Sequence, residues 1–200
     1  MKVISTKEEF LRHTYIGKKV FIIEVGKTGY TAKFEELKQT ALLYDTLMIK
    51  GNDVFEQGKD ISDFLKEIKQ DNPLIQILIQ TKPLSTPVYM GAITDVTYIV
   101  MIESCRVEGN KNKIYSEKAL DWHINSGARF IFNVKDEDDY DNMVVLAGKN
   151  NMKKYNMYIH VISEDFYQYS NWANAHDYNL FIEFTGSWLG ENDGEEETTE

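Results

Sequence analysis

Two hundred residues with 42% hydrophobic and 12% aromatic content are enough to bury one sizeable core. The formal charge is −10, and six of the acids fall within residues 191–200, where no basic residue answers them. That balance argues against direct nucleic-acid binding, which needs clustered Lys and Arg on the phosphates, and it favours a basic partner.

The single cysteine, Cys105, allows no intramolecular disulfide and fits a reducing cytoplasm. The opening residues 1–9 carry no apolar stretch of signal-peptide type, and no run is long enough to span a bilayer. A soluble cytoplasmic protein without membrane contact is expected. Residues 189–200 read as an acidic disordered tail, because so polar a segment buries too little to offset its ordering entropy. Residues 1–188 then form one domain.

In chain order, Thr6 and Glu9 make a capping box for a short helix. Lys18–Val25 is a β-branched, aromatic strand broken by Gly26 and Gly29. A helix follows from about Thr31 to Leu43, with Phe34, Leu37 and Ala41 on one face. Asp45–Ile49 is a strand, Lys50–Gly58 a loop, and Ile61, Phe64, Leu65 and Ile68 stand at helical spacing. Pro73 ends that helix ahead of a strand at Leu74–Ile79. Pro83 and Pro87 mark an irregular loop before the strand Val96–Ile102. Ser116–Ser126 is a helix with Ala119, Leu120 and His123 on one side. The remainder alternates again: strand Ala128–Val134, helix Asp138–Lys149, strand Met157–Ile162, helix Glu164–Ala175, strand Tyr178–Thr185.

Nearly unbroken apolar strands alternating with amphipathic helices imply an α/β fold, a mostly parallel sheet with flanking helices. Right-handed crossovers make it a partial barrel or a doubly wound sheet. In both, ligands gather at the carboxyl ends of the strands.

The strand-loop-helix order over residues 18–162 resembles the radical S-adenosylmethionine enzymes, most closely the 7-carboxy-7-deazaguanine synthases. In that family the first strand leads to three closely spaced cysteines that hold a [4Fe–4S] cluster. Here Val20–Val25 leads to Gly26-Lys27-Thr28-Gly29, with no thiolate. Where the family has a Gly-Gly-Glu turn facing the methionine end of the cofactor, this chain has Lys50-Gly51-Asn52-Asp53. Ile79-Gln80-Thr81-Lys82 stands in place of the family's Glu-Thr-Asn-Gly. The resemblance thus implies a radical-SAM-like scaffold that has lost its cluster. It would be a non-enzymatic protein with no cofactor, whose surface is what remains to function.

Other sequence features have chemical and structural readings side by side. Gly26-Lys27-Thr28 lacks the upstream glycine of a phosphate-binding loop, since Phe21 sits there, and reads as a turn. His13, His123, His160 and His176 are scattered, without the spacing of a zinc site, and His160 reads as a strand residue. Asp136, Glu137, Asp138, Asp139 and Asp141 suit a helix N-terminus, where the macrodipole and unpaired amides favour negative charge. They also suit a docking patch for a basic protein. Tyr167, Tyr169 and Trp172 fall in an aromatic segment of the kind enriched at interface hot spots, and also of the kind that covers a sheet.

In size, acidity and general character the chain is also similar to host-takeover proteins of staphylococcal Twort-like phages. That similarity implies an inhibitor of host transcription. Its partner would be bacterial RNA polymerase, reached through the promoter-recognising carboxy-terminal domain of the primary sigma factor. The alternative is a small-molecule remnant of the enzyme fold, binding S-adenosylmethionine or a deazapurine-like ligand. Lys50, Asn52, Asp53, Thr81 and Lys82 would line its pocket, with Asp53 on an amine and the lysines on a carboxylate or phosphate.

Overall fold

A computed structural model of the chain describes residues 3–4, 19–25, 34–103, 115–161 and 166–182. The capping box at Thr6 and Glu9, the turn at Gly26-Lys27-Thr28, His13, Cys105 and the acidic tail lie outside the described residues.

The described elements run β1 (Val3–Ile4), β2 (Val20–Glu24), α1 (Phe34–Ala41), β3 (Thr46–Lys50), α2 (Gly58–Asp71), β4 (Gln76–Thr81) and β5 (Val96–Ile102). After β5 come α3 (Glu117–Asn125), β6 (Arg129–Val134), α4 (Glu137–Lys149), β7 (Met157–Val161), α5 (Phe166–Ala175) and β8 (Asn179–Ile182). The helix faces expected from spacing are the buried ones. Phe34 and Ala41 of α1, Ile61, Phe64, Leu65 and Ile68 of α2, and Ala119, Leu120 and His123 of α3 all face the core. Each fully buried Ile or Leu among them contributes about 2 kcal/mol.

All strand pairs are parallel, and their order is β1-β8-β7-β6-β5-β4-β3-β2. Neighbours in sequence are neighbours in space throughout β2 to β8. A doubly wound sheet needs a reversal of strand order, and none occurs. The order is instead the cyclic one of an eight-stranded parallel barrel opened between β1 and β2. The register is staggered in the sense a barrel requires. A row of paired residues starting at Glu24, the last of β2, passes through Lys50, Gln80 and Ile99 and reaches Arg129, the first of β6.

The two faces of this sheet differ. One carries Leu47, Ile49, Ile77, Ile79, Val100, Phe130, Phe132 and Ile159, and residues from all five helices pack on it. On the other lie Met48, Leu78, Ile99, Ile131 and Tyr158, one buried residue from each of β3 to β7, with Val20 and Met101 against them. No described helix contributes to that second cluster. This is the arrangement that right-handed crossovers between sequential strands produce, with every helix on the same side.

Several element ends differ from expectation by one to three residues, and two of them show why. Lys50 belongs to β3, not to the following loop, because it pairs with both Glu24 and Gln80. Leu74 is 88% exposed and precedes β4, not inside it: the Asn72 side chain accepts from the Leu74 amide at 3.2 Å and holds it in a turn.

Candidate functional site

Parallel strands bring their carboxyl ends to one edge, and on the helix-free face that edge is polar. Each strand from β2 to β7 supplies a polar side chain at or just beyond its last turns. They are Glu24, Lys50, Gln80 with Lys82, Glu103, Asn133 and His160. The alternation of side chains along a strand puts these on the same face as Met48, Leu78, Ile99, Ile131 and Tyr158 below them. An apolar floor therefore carries a polar rim.

The rim is paired across neighbouring strands. Lys50 Nζ lies 2.9 Å from Glu24 Oε2, joining β2 to β3. Lys82 Nζ lies 2.8 Å from Glu103 Oε2, joining the ends of β4 and β5. His160 Nδ1 and Asn133 Oδ1 are 2.7 Å apart, joining β6 to β7. Both lysines are half-buried, while their carboxylate partners are exposed. Pairs open to water on one side contribute no more than about 1 kcal/mol each. Ionic pairing of this kind can be exchanged for a ligand's charge at small cost.

Behind the rim, the β3 and β4 loops are stitched together. Gly51 N donates to Gln80 O at 3.0 Å and Lys82 N to Asn52 O at 3.0 Å. Thr81 is fully buried; its hydroxyl accepts from Val54 N at 3.2 Å and donates to Lys82 O at 3.1 Å. Asp53 Oδ2 accepts from Ser85 Oγ at 2.6 Å, while Asp53 Oδ1 is buried with no partner among the described residues. Of the five residues expected to line a pocket, Lys50 and Lys82 thus stand on the rim. Asn52, Asp53 and Thr81 hold the loops beside it. Gly51 is required there, because a Cβ at that position would lie 2.7 Å from the Val25 carbonyl oxygen.

The acidic run sits at the same edge, where β6 ends and α4 begins. Asp136 is the N-cap, accepting from Asp139 N at 2.9 Å, and Asp139 Oδ2 accepts from Lys135 N at 3.2 Å. Those two carboxylates are occupied by the helix start, and Asp139 is buried. Glu137, Asp138 and Asp141 are exposed. The run therefore divides into two residues that build the helix end and three that face outward.

The aromatic segment is mainly a packing element where it is described. Trp172 is half-buried and stacks on Tyr140, with ring centroids 4.9 Å apart, locking α5 to α4. The Tyr140 hydroxyl bonds His176 Nδ1, and His176 stacks on Tyr178. Burial, with Tyr178 and Asp141 nearby, pushes the Tyr140 hydroxyl up to about 12. The side chains of Tyr167 and Tyr169 lie outside the described atoms.

His123 is placed by α3 against the helix-covered face. It is fully buried, both ring nitrogens lack a partner among the described residues, and the rings of Phe55, Tyr98 and Trp122 surround it. Burial lowers its pKa to about 4, so the imidazole is neutral at physiological pH. Among the described residues no group of three or more His, Cys, Asp or Glu is arranged to hold a metal ion. No described helix is long and apolar enough to cross a membrane.

The rim residues Glu24, Gln80, Glu103, Asn133 and His160 do not stand out in the sequence. Each is one polar residue at the end of an apolar run, and only the cross-strand register collects them. The available signal is the last inward position of each strand. No protein-family model matches the sequence, and a comparison with curated proteins finds no match.

Proposed function

We propose that this chain is a non-enzymatic, phage-encoded protein acting in the bacterial cytoplasm. It binds RNA polymerase through the promoter-recognising carboxy-terminal domain of the primary sigma factor and inhibits host transcription. The observation that carries this reading is the outward-facing acidic set Glu137, Asp138 and Asp141 at the carboxyl edge of the sheet, on a chain of formal charge −10. A helix-turn-helix module presents cationic side chains towards DNA, and an acidic surface is steered to such a face electrostatically. The similarity to host-takeover proteins of Twort-like phages supports the same partner.

The test is binding of the full chain to the isolated sigma carboxy-terminal domain, titrated across salt concentration. Affinity should fall as salt rises, and reversing Glu137, Asp138 and Asp141 to Lys together should weaken it by about tenfold or more. Failure to bind, or binding indifferent to both salt and charge reversal, removes the proposal.

A second reading is favoured by Asp53, whose buried Oδ1 has no partner among the described residues and stands beside the polar rim. In this reading the fold is a catalytically inactive remnant that holds S-adenosylmethionine or a deazapurine-like molecule at the strand ends. Asp53 would meet an amine, while Lys50 and Lys82 would meet an anionic group. Calorimetry with those two ligands decides it: heat lost on Asp53→Asn supports the remnant, and no heat at millimolar ligand ends it.

A further inference from the structure

At the opposite edge of the sheet, where β6 and β7 begin, the described surface holds a cavity of about 400 Å3. That volume lies in the range of small-ligand sites. Its floor is apolar, formed by Ile124, Ala128, Phe130 and Met152. Asn125, Asn150, Asn151, Asn156, Lys153 and Tyr155 supply its polar lining. Tyr155, in a short 3-10 helix at Lys154–Asn156, is 66% exposed, and Lys153 Nζ lies 5.9 Å from its ring centroid.

The charge here runs against the rest of the molecule. From Asn142 to Ser163 the chain has no acidic residue, while Lys149, Lys153 and Lys154 are all exposed around the cavity's side of the edge. Two helices, α3 and α4, end at the cavity, and a helix carboxyl end acts as about half a negative charge. Asp177, on the next loop along the same edge, adds one more. Against these stand Lys153 in the cavity lining, Lys154, whose Nζ lies 5.6 Å from the Tyr178 ring centroid, and Lys149 at the end of α4, a local cluster of lysines on a protein whose formal charge is −10.

We propose that this cavity binds a nucleotide: a planar base on the Tyr155 ring, its edge read by asparagine amides, and its phosphate on the lysines. An aromatic face accepts any base by stacking, worth about 1–3 kcal/mol. An amide offers a donor and an acceptor side by side, the pattern a base edge presents. Asn150 is fixed over the end of α4, its Nδ2 donating to Leu146 O at 2.8 Å. In the free protein Lys153 occupies the ring face; a stacked base displaces the ammonium towards the phosphate. The site is at the far edge of the sheet from the sigma-facing acids and does not depend on that reading.

The experiment is a two-dimensional amide NMR titration of the full chain with nucleoside 5′-monophosphates. The matching nucleosides and inorganic phosphate form separate arms. Nucleotides should shift amides in 124–128 and 150–156 saturably at millimolar concentration, and nucleoside or phosphate alone should bind about tenfold more weakly. Tyr155→Ala and Lys153→Ala, both exposed side chains whose loss leaves the core intact, should each weaken the nucleotide about tenfold. No saturable shift with any nucleotide overturns the proposal. So does a phosphate arm that reproduces the whole pattern, or a Tyr155→Ala protein that binds as tightly as the parent.

Discussion

His123 shows how much one side chain can couple this fold to pH. Its neutral ring sits among Phe55, Tyr98 and Trp122 with no hydrogen-bond partner among the described residues. The unfolded chain takes up a proton near the ordinary histidine value of 6.5, whereas the folded protein does so only near 4. Stability is therefore intact above 6.5 and falls as pH drops towards 4, by about 3 kcal/mol in all. His123→Leu should flatten that part of the profile, leaving the acid sensitivity of the carboxylates. Urea unfolding of both proteins at neutral pH and just above pH 4 checks it, and equal losses in the two would refute the assignment. Gly51 is the second sensitive position. Its missing Cβ lets the ends of β2 and β3 approach, so Gly51→Ala forces backbone to shift away from the Val25 carbonyl. A loss of about 1–3 kcal/mol is expected in the same unfolding assay.

At the scale of elements, α4 begins on a cap made by its own acids. Asp136→Ala removes the acceptor for the Asp139 amide and should cost about 1 kcal/mol. Glu137→Ala, on an exposed neighbour, should change stability by less than about 0.5 kcal/mol. Comparing the two in denaturant separates the structural acids from those available to a partner. The helix and strand sequence was legible from periodicity because each element agrees with its own local signals. Val96–Ile102 is a strand throughout, and Ser116 caps α3 through the Ala119 amide. The ends were less legible, since Lys50 is held in β3 by partners on two other strands and Leu74 is drawn out of β4 by Asn72. For the site, Lys50 and Lys82 were legible as strand-end cations, but Glu24, Glu103, Asn133 and His160 were not. Their grouping depends on which strand lies beside which, and that pairing is not local.

The described residues form a singly wound sheet whose described helices cover one face, and the two edges of that sheet differ in chemistry. Acids and paired ions gather where strands end, whereas lysines, amides and Tyr155 gather where β6 and β7 begin. A partner approaching by charge is thereby oriented before contact. The strand order also sets a timetable for folding. From β3 to β8 every strand pairs with the one made just before it, so the sheet can grow one strand at a time as the chain is synthesised. β1 is the exception: Val3 pairs with Leu180 and Ile4 with Phe181, across nearly the full length of the polypeptide. β1, made before the other described strands, is thus the last of them to find its place, waiting until β8 has emerged. Removing residues 1–4 should leave β2 to β8 assembled, while exposing the edge of β8 to pairing with another chain.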